Sequence, residues 1–285
     1  MSEDLLDDGS SSKPPPPSHS IPCLAWRSGE VSASVRTVPE ETAIAFTFNG
    51  TTHAVMMATP SDLEDFAVGF ALTEGLIEGP AEIASLDIVT TPLGIELRAW
   101  LPEDRAKTYA ARRRSMAGPT GCGLCGIESL EEAARPAPVV ANASRFNSEA
   151  IVEAMASLSA GQRLNSETRA VHAAGFWVPG RGLIAVREDV GRHNALDKLI
   201  GALARGGEPA AHGIVLLTSR VSIELIQKSA RLGAPVVAAV SVPTAAGIRL
   251  AEACGITLVA IARGQDFEVF THHQRIIDRA QHHVA

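Results

Sequence analysis

The chain has 285 residues, 46% of them hydrophobic, which is enough for one large or two modest cores. Its formal charge of −7 argues against general nucleic-acid binding and confines any phosphate contact to local clusters. Four cysteines occur, Cys23, Cys122, Cys125 and Cys254, and only two are close in sequence, so a disulfide framework is not expected and a reducing, cytoplasmic compartment is.

Residues 1–22 are acidic, then rich in serine and proline, without the basic start and apolar stretch of a signal peptide, and predict a disordered tail. No apolar run reaches the roughly 18 residues a membrane helix needs, so membrane insertion is not expected. A smaller α+β domain is expected over 23–117. Strand patterns at 43–48 and 51–57 meet at Asn49-Gly50, a dipeptide suited to a tight hairpin. Ser61-Asp62-Leu63-Glu64 has capping-box spacing and opens a helix carrying Leu63, Phe66, Ala67, Phe70 and Ala71, stopped by Gly75. Short strands at 85–89 and 95–100 and a charged helix at 103–116 lead into a cysteine loop and linker over 118–144, stiffened by Arg135-Pro136-Ala137-Pro138.

A second domain is expected over 145–285. Its pattern is a helix at 149–159, strands at 174–178 and 183–187 across Pro179-Gly180, and a helix at 192–204. Strand and helix then alternate: 214–217, 222–232, 236–240, 244–253, and a last strand at 258–261. Continuous Val/Ile/Leu/Ala strands between amphipathic helices predict an α/β fold with a largely parallel sheet covered on both faces.

The pair Cys122-Gly123-Leu124-Cys125 lies within Thr120 to Gly126, with glycines at 121, 123 and 126 and a basic stretch upstream at Arg105, Lys107, Arg112, Arg113 and Arg114. Glycines leave both sulfurs uncovered, and positive potential favours the reactive thiolate. Such a pair can ligate zinc, exchange dithiol for disulfide, or carry sulfur as a persulfide. A zinc site wants four ligands, and no second pair accompanies this one, so no metal ligand is assigned. A thioredoxin-like site would place the first cysteine at a helix start after a strand, whereas this pair follows a basic helix in a connector.

In open parallel sheets ligands gather outside the carboxyl ends of the strands. Three polar segments should meet there: Thr218-Ser219-Arg220, Ser241-Val242-Pro243-Thr244, and Ala262-Arg263-Gly264-Gln265-Asp266. Two of them carry arginine and two open helices, which together suit a phosphate-bearing, nucleotide-like ligand. The competing reading makes Ser222 and Thr244 ordinary caps and Arg220 a surface ion-pair residue. Glu188-Asp189-Val190-Gly191-Arg192-His193-Asn194 concentrates charge, glycine and imidazole between a strand and a helix, a composition common in functional loops. Asp189 as a cap and His193 as a hydrogen-bonded core histidine is the plainer reading of the same loop.

Over roughly 30–280 the chain resembles the formate dehydrogenase accessory sulfurtransferases, the FdhD family. The likeness is carried by the segments from Val55 to Glu64 and Gly69 to Gly75, by Thr120 to Gly126 and by Glu188 to Lys198. Ser219-Arg220 with Gln227-Lys228-Ser229-Ala230, and Phe270-Thr271-His272, complete it. The resemblance implies a second domain of cytidine deaminase-like, three-layer α/β/α fold. It implies that sulfur passes from a cysteine desulfurase, by way of a persulfide on Cys122 helped by Cys125, to the Mo-bis(molybdopterin guanine dinucleotide) cofactor needed by formate dehydrogenase. The cofactor-contact segment then falls on Ile261, Ala262, Arg263, Gly264, Gln265 and Asp266, joined by Arg220 from the strand-end reading. A homodimer with paired sites is expected for so large a ligand. Family members often have Thr-Gly-Gly before His-Ala-Ala where this chain has Thr168-Arg169-Ala170-Val171-His172, so His172 is left out of the site. Two other readings compete. A zinc nucleobase deaminase would need glutamate two residues after His172, where Ala174 stands. A cofactor chaperone without sulfur chemistry would use the cysteines only for contact.

Overall fold

The computed structural model describes residues 13–102, 137–141 and 144–278. The expected helix at 103–116, the loop with Cys122 and Cys125, and Arg135-Pro136 lie outside the described residues. Strands β1 (Ser18–Arg27) and β2 (Glu30–Pro39) form an antiparallel hairpin that begins inside the stretch expected to be tail. Composition averaged over 1–22 hides its two-residue period: Pro22, Leu24 and Trp26 stand opposite Val35, Ala33 and Val31. Ser28 and Gly29 both take positive φ, 53° and 88°, the turn that matches strand twist.

Next come β3 (Thr42–Phe48) and β4 (Thr51–Ala58), joined as expected at Asn49-Gly50 with φ of 48° and 76°. With β5 (Ser85–Thr91) and β6 (Gly94–Trp100) they build a four-stranded sheet in the order β4-β3-β6-β5. Parallel pairing of β3 with β6 sets Ile44 beside Ile95, Phe46 beside Leu97 and Phe48 beside Ala99, all buried on one face. Helix α1 (Leu63–Thr73) covers that face, with Phe66 edge-on to Phe46 at 4.8 Å and Phe70 stacked on it at 3.9 Å. Each buried phenylalanine contributes roughly 1.5–3 kcal/mol.

The capping box expected at Ser61 to Glu64 does not form. Asp62 is the cap residue, in left-handed conformation and making no side-chain cap bond. Its carboxylate faces Arg187 at 3.4 Å, Asp65 pairs with Arg187 and Arg205 at 2.6 Å each, and Glu64 pairs with Arg205. Ion pairs with residues distant in the sequence have taken the acidic side chains that a local cap would use.

The larger sheet runs in the order β13-β12-β11-β10-β8-β9. Its strands are β8 (His172–Val178), β9 (Gly182–Asp189), β10 (Ile214–Leu217), β11 (Val236–Ala239), β12 (Thr257–Arg263) and β13 (Asp266–Val269). Only β10–β11 and β11–β12 pair in parallel, and the other three ladders are antiparallel, so the sheet is mixed rather than largely parallel. Tight turns account for two of these: three residues join β8 to β9 and two join β12 to β13, and connections so short can only reverse a strand. Helix α2 (Ser148–Gly161) lies on one face over Ile214, Leu216, Val236 and Ala238. A short α3 (Arg163–Thr168) follows α2. On the other face, α4 (Arg192–Arg205), α5 (Ile223–Leu232) and α6 (Ala245–Ala253) pack over Val215, Leu217, Val237 and Ala239. Alternate strand residues thus feed two cores, giving three α/β/α layers; with α1 the described residues hold six α-helices. None of these helices is long and apolar enough to cross a membrane.

Helix α1 is the joint between the two sheets, covered by β3 and β6 on one side and α4 on the other. A methyl on Gly69 would stand 1.7 Å from the Asp197 carbonyl oxygen, and one on Gly201 1.8 Å from that of Asp65. Only glycine admits so close a helix crossing. Around it lies a buried polar knot. The Lys198 ammonium is 2.6 Å from the Asp189 carboxylate and donates to the Thr59 carbonyl at 2.8 Å, while the Asp189 carboxylate accepts from Thr59, Gly191 and Asn194. Asn194 also donates to the Met57 carbonyl, and Lys228 bridges Asp197 and Thr73.

Candidate active site

The carboxyl ends of β10 and β11 define one edge of the larger sheet, and the start of β8 and the end of β9 reach the same edge because β8 runs antiparallel to both β9 and β10. Thr218 extends β10, donating its N–H to the Ala173 carbonyl at 3.1 Å and accepting from Ala173 N–H at 2.9 Å. Val221 then bridges to Pro243, and Thr244 N–H donates to the Val221 carbonyl, so the loops after β10 and β11 are tied together. Thr244 caps α6 by accepting from Gly247 N–H at 3.0 Å, as the plainer reading expects. Ser222 sits at the same position on α5 and makes no such bond.

The third strand-end segment is not an open loop. Strand β12 continues to Arg263 and β13 starts at Asp266, so Gly264 and Gln265 form the tip of a hairpin. The register slips between Ala260 and Arg263, where Ile261 takes a φ of 53°, unusual for a β-branched residue. This slip turns Arg263 so that its Nε donates to the Val240 carbonyl at 3.3 Å, while Ala262 is buried and Gly264, Gln265 and Asp266 are exposed. Strain at Ile261 and an arginine fixed by backbone mark the tip as a shaped feature.

Beside it lies a cavity of about 510 Å³ lined by Gln162, Asn165, Arg169, His172, Thr218 and Val240. Arg169 closes α3 at a φ of 57°, in the left-handed region. A glycine would hold that conformation without strain, whereas this chain places a guanidinium at the cavity mouth. His172, which sequence reasoning set aside, is on the cavity wall. Its signal was its position at a strand start facing three strand-end loops. Burial first, and the positive charge of Arg192 second, lower its pKa below the ordinary 6.5, against the pull of Asp189. A larger cavity, about 580 Å³, runs along β9 and α3, but its main polar groups are already engaged. Glu188 accepts from Leu164 and Asn165 N–H at 2.8 Å each, and Arg187 is paired with Asp65. The smaller cavity is therefore the better place for a polar ligand.

The loop from Glu188 to Asn194 divides its labour. Glu188 caps α3, and Asp189 and Asn194 belong to the buried knot, whereas Arg192 and His193 face the edge. His193 is held neutral, its pKa lowered from 6.5 to about 4 by burial first and then by Arg192, Lys228 and Arg220, with Glu224 opposing. A histidine whose folded value is depressed binds its proton more readily in the unfolded chain. Stability from this group is therefore full above pH 6.5 and is lost as pH falls from 6.5 toward about 4. Denaturation midpoints measured across that window should fall more steeply for the wild type than for His193→Gln.

Of the residues expected at the site, Arg220 and Ile261 to Asp266 do border one edge, Arg220 exposed and near His193, Arg263 against the cavity wall. Cys122 and Cys125 lie outside the described residues. The other two cysteines carry free thiols, Cys23 exposed and Cys254 buried, where burial raises its pKa. Where a deaminase needs glutamate, Ala174 is fully buried in the core, leaving that position without a proton shuttle.

A family model described as the FdhD/NarQ family matches residues 39–277. The sulfur carrier protein FdhD of Agrobacterium fabrum is 54% identical over 254 residues, 89% of this chain and 94% of its own. That of Cupriavidus necator is 48% identical over 264 residues, 92% of this chain and 91% of its own. A crystal structure from Desulfotalea psychrophila, described as a proposed formate dehydrogenase accessory protein, superposes with a TM-score of 0.73 at 27% identity, covering 92% of this chain and all of that one.

Proposed function

The chain belongs to the FdhD/NarQ family, and on that basis we propose that it is a sulfur carrier serving formate dehydrogenase. The observation that carries this reading is 54% identity, over nearly the whole chain, to a protein named for sulfur carriage. The chemistry is assigned to Cys122 and Cys125. The Cys122 thiolate attacks the outer sulfur of a cysteine desulfurase persulfide, the donor cysteine leaves as thiolate, and the sulfur remains as a persulfide on Cys122. The Cys125 thiolate then attacks the Cys122 sulfur, releasing hydrosulfide to the acceptor and leaving a Cys122–Cys125 disulfide, which a cellular thiol reductant resets.

The acceptor is Mo-bis(molybdopterin guanine dinucleotide), a substrate of the transfer rather than a resident cofactor. The sheet edge suits its phosphates and one nucleotide end: Arg169, Arg192, Arg220 and Arg263 supply positive charge, and the cavity beside His172 supplies a polar wall. The three α/β/α layers and the position of His172 at the sheet edge support a cytidine deaminase-like ancestry for the region over 145–285. A homodimer belongs to the same proposal. The β1–β2 hairpin pairs with no third strand among the described residues and exposes Leu24 at 63% and Trp26 at 69%, an apolar face that a second copy would cover.

Intact-protein mass spectrometry after incubation with a cysteine desulfurase and cysteine tests the reading. A sulfur-sized gain that survives in Cys125→Ala and vanishes in Cys122→Ala is expected. No gain in the wild type, with the desulfurase turning over, would replace sulfur carriage by a cofactor-chaperone role.

A further inference from the structure

Five buried side-chain polar atoms among the described residues have no hydrogen-bond partner, and three of them, Arg192 Nε, His193 Nε2 and Ser222 Oγ, lie on the same sheet edge. The other two, Thr90 Oγ1 and Trp177 Nε1, are elsewhere. Leaving a buried polar group unpaired costs on the order of 1–3 kcal/mol, so three at one place call for a partner that the described residues do not supply. Ser222 is only 8% exposed and occupies the cap position of α5 without capping it, and α4 opens at Arg192 with no side-chain cap. Two helices therefore start beside the orphaned atoms without a side-chain cap on their first N–H groups.

The charges agree. Arg192, Arg220 and Lys228 all bear on His193, although Lys228 is already bonded to Asp197 and Thr73. Among the described residues one carboxylate faces His193. Glu224, half-exposed, stands 3.8 Å from His193 Nε2, and burial would raise its pKa, yet Ser222, its own backbone N–H, His193 and Arg192 together hold it below the ordinary value. The Ser222 hydroxyl is near enough to that carboxylate to favour its charged form, yet its Oγ has no hydrogen-bond partner of normal geometry. Glu224 therefore sits where an anion is favoured, without satisfying the three donors.

We propose that Arg192, His193 and Ser222, with Arg220 at the rim, form a subsite for a phosphate or pyrophosphate group, and that Glu224 is an internal stand-in which the incoming anion displaces. Displacement is sterically open because the Glu224 side chain is 36% exposed, and it is required because a dianion and a carboxylate repel at this range. In the neutral ring the tautomer with hydrogen on Nε2 donates, and a bound anion would draw the His193 titration upward from about 4. The inference deepens the reading of a nucleotide-bearing ligand at this edge and rests on it only for the ligand's class.

Calorimetric titration of the full chain with inorganic pyrophosphate at low salt tests it. Arg192→Gln should weaken binding about tenfold or more, the scale of one charge-assisted hydrogen bond, and Glu224→Gln should tighten it about threefold to tenfold. The His193 ring resonances should titrate at higher pH with pyrophosphate present. Unchanged or weaker binding by a folded Glu224→Gln would overturn the stand-in role, and no binding by the wild type would overturn the subsite. Sulfur loading needs no pyrophosphate, so the two readings fail separately. A normal mass gain on Cys122 without a pyrophosphate response sinks the subsite alone, and a pyrophosphate response without any mass gain sinks sulfur carriage alone.

Discussion

Lys198→Met should lower the unfolding free energy by about 3–5 kcal/mol, the usual cost of removing one partner of a buried ion pair. Lys198 and Asp189 are both completely buried, and the ammonium lies 2.6 Å from the carboxylate and 5.3 Å from the Phe66 ring centroid. Removing the ammonium leaves a carboxylate in the core whose remaining partners, Thr59, Gly191 and Asn194, are neutral donors. It also removes one of the two donors to the Thr59 carbonyl, which accepts from Lys198 and from the Ser61 N–H at 2.8 Å each. Guanidinium denaturation of Lys198→Met, Asp189→Asn and the double variant would separate the terms. The double variant should lose less than the sum of the two singles, because no unpaired charge remains. Strict additivity would show that the pair contributes only through packing. The knot joins the end of β4 to the end of β9, so the transition of the single variants should also lose cooperativity.

Cys122→Ala should abolish activation of formate dehydrogenase by the protein while leaving ligand binding at the sheet edge within about twofold, since additivity is the rule for independent sites. Alanine removes the sulfur atom proposed to hold the transferred sulfur and takes no charge from the edge. Cys125→Ala should load sulfur but turn over slowly, because the second thiol supplies the electrons that release hydrosulfide. The readout is formate dehydrogenase activity in extracts complemented with each variant, beside ligand binding by calorimetry. Full activation by Cys122→Ala would remove sulfur carriage and leave a binding role.

The local elements were legible because their signals are local. The Asn49-Gly50 turn, the apolar stripe of α1 and the strand at 214–217 each depend on a few neighbouring residues, and each forms where the pattern puts it. What misled was also local. Ser61 to Glu64 has the spacing of a capping box, but Arg187 and Arg205, more than a hundred residues away, draw its acids into ion pairs. The hairpin at 18–39 hid in a serine- and proline-rich composition, since a period of two is visible only when both strands are set side by side.

The sheet edge divides the same way. Arg220 and the segment from Ile261 to Asp266 could be chosen from sequence because parallel strands bring their following loops to one side. That Asp266 starts a strand, that Arg169 and His172 wall a cavity, and that Glu188 and Asp189 are partnered within the fold while Arg192 and His193 keep buried unpaired atoms could not. By itself the sequence determined the family, the order of most elements and the cysteine pair, because those lie in residue identities and short spacings. Only the tertiary structure decided which charged residues are partnered, since pairing and burial depend on groups brought together from distant parts of the chain, and it is the unpartnered ones that a ligand can use.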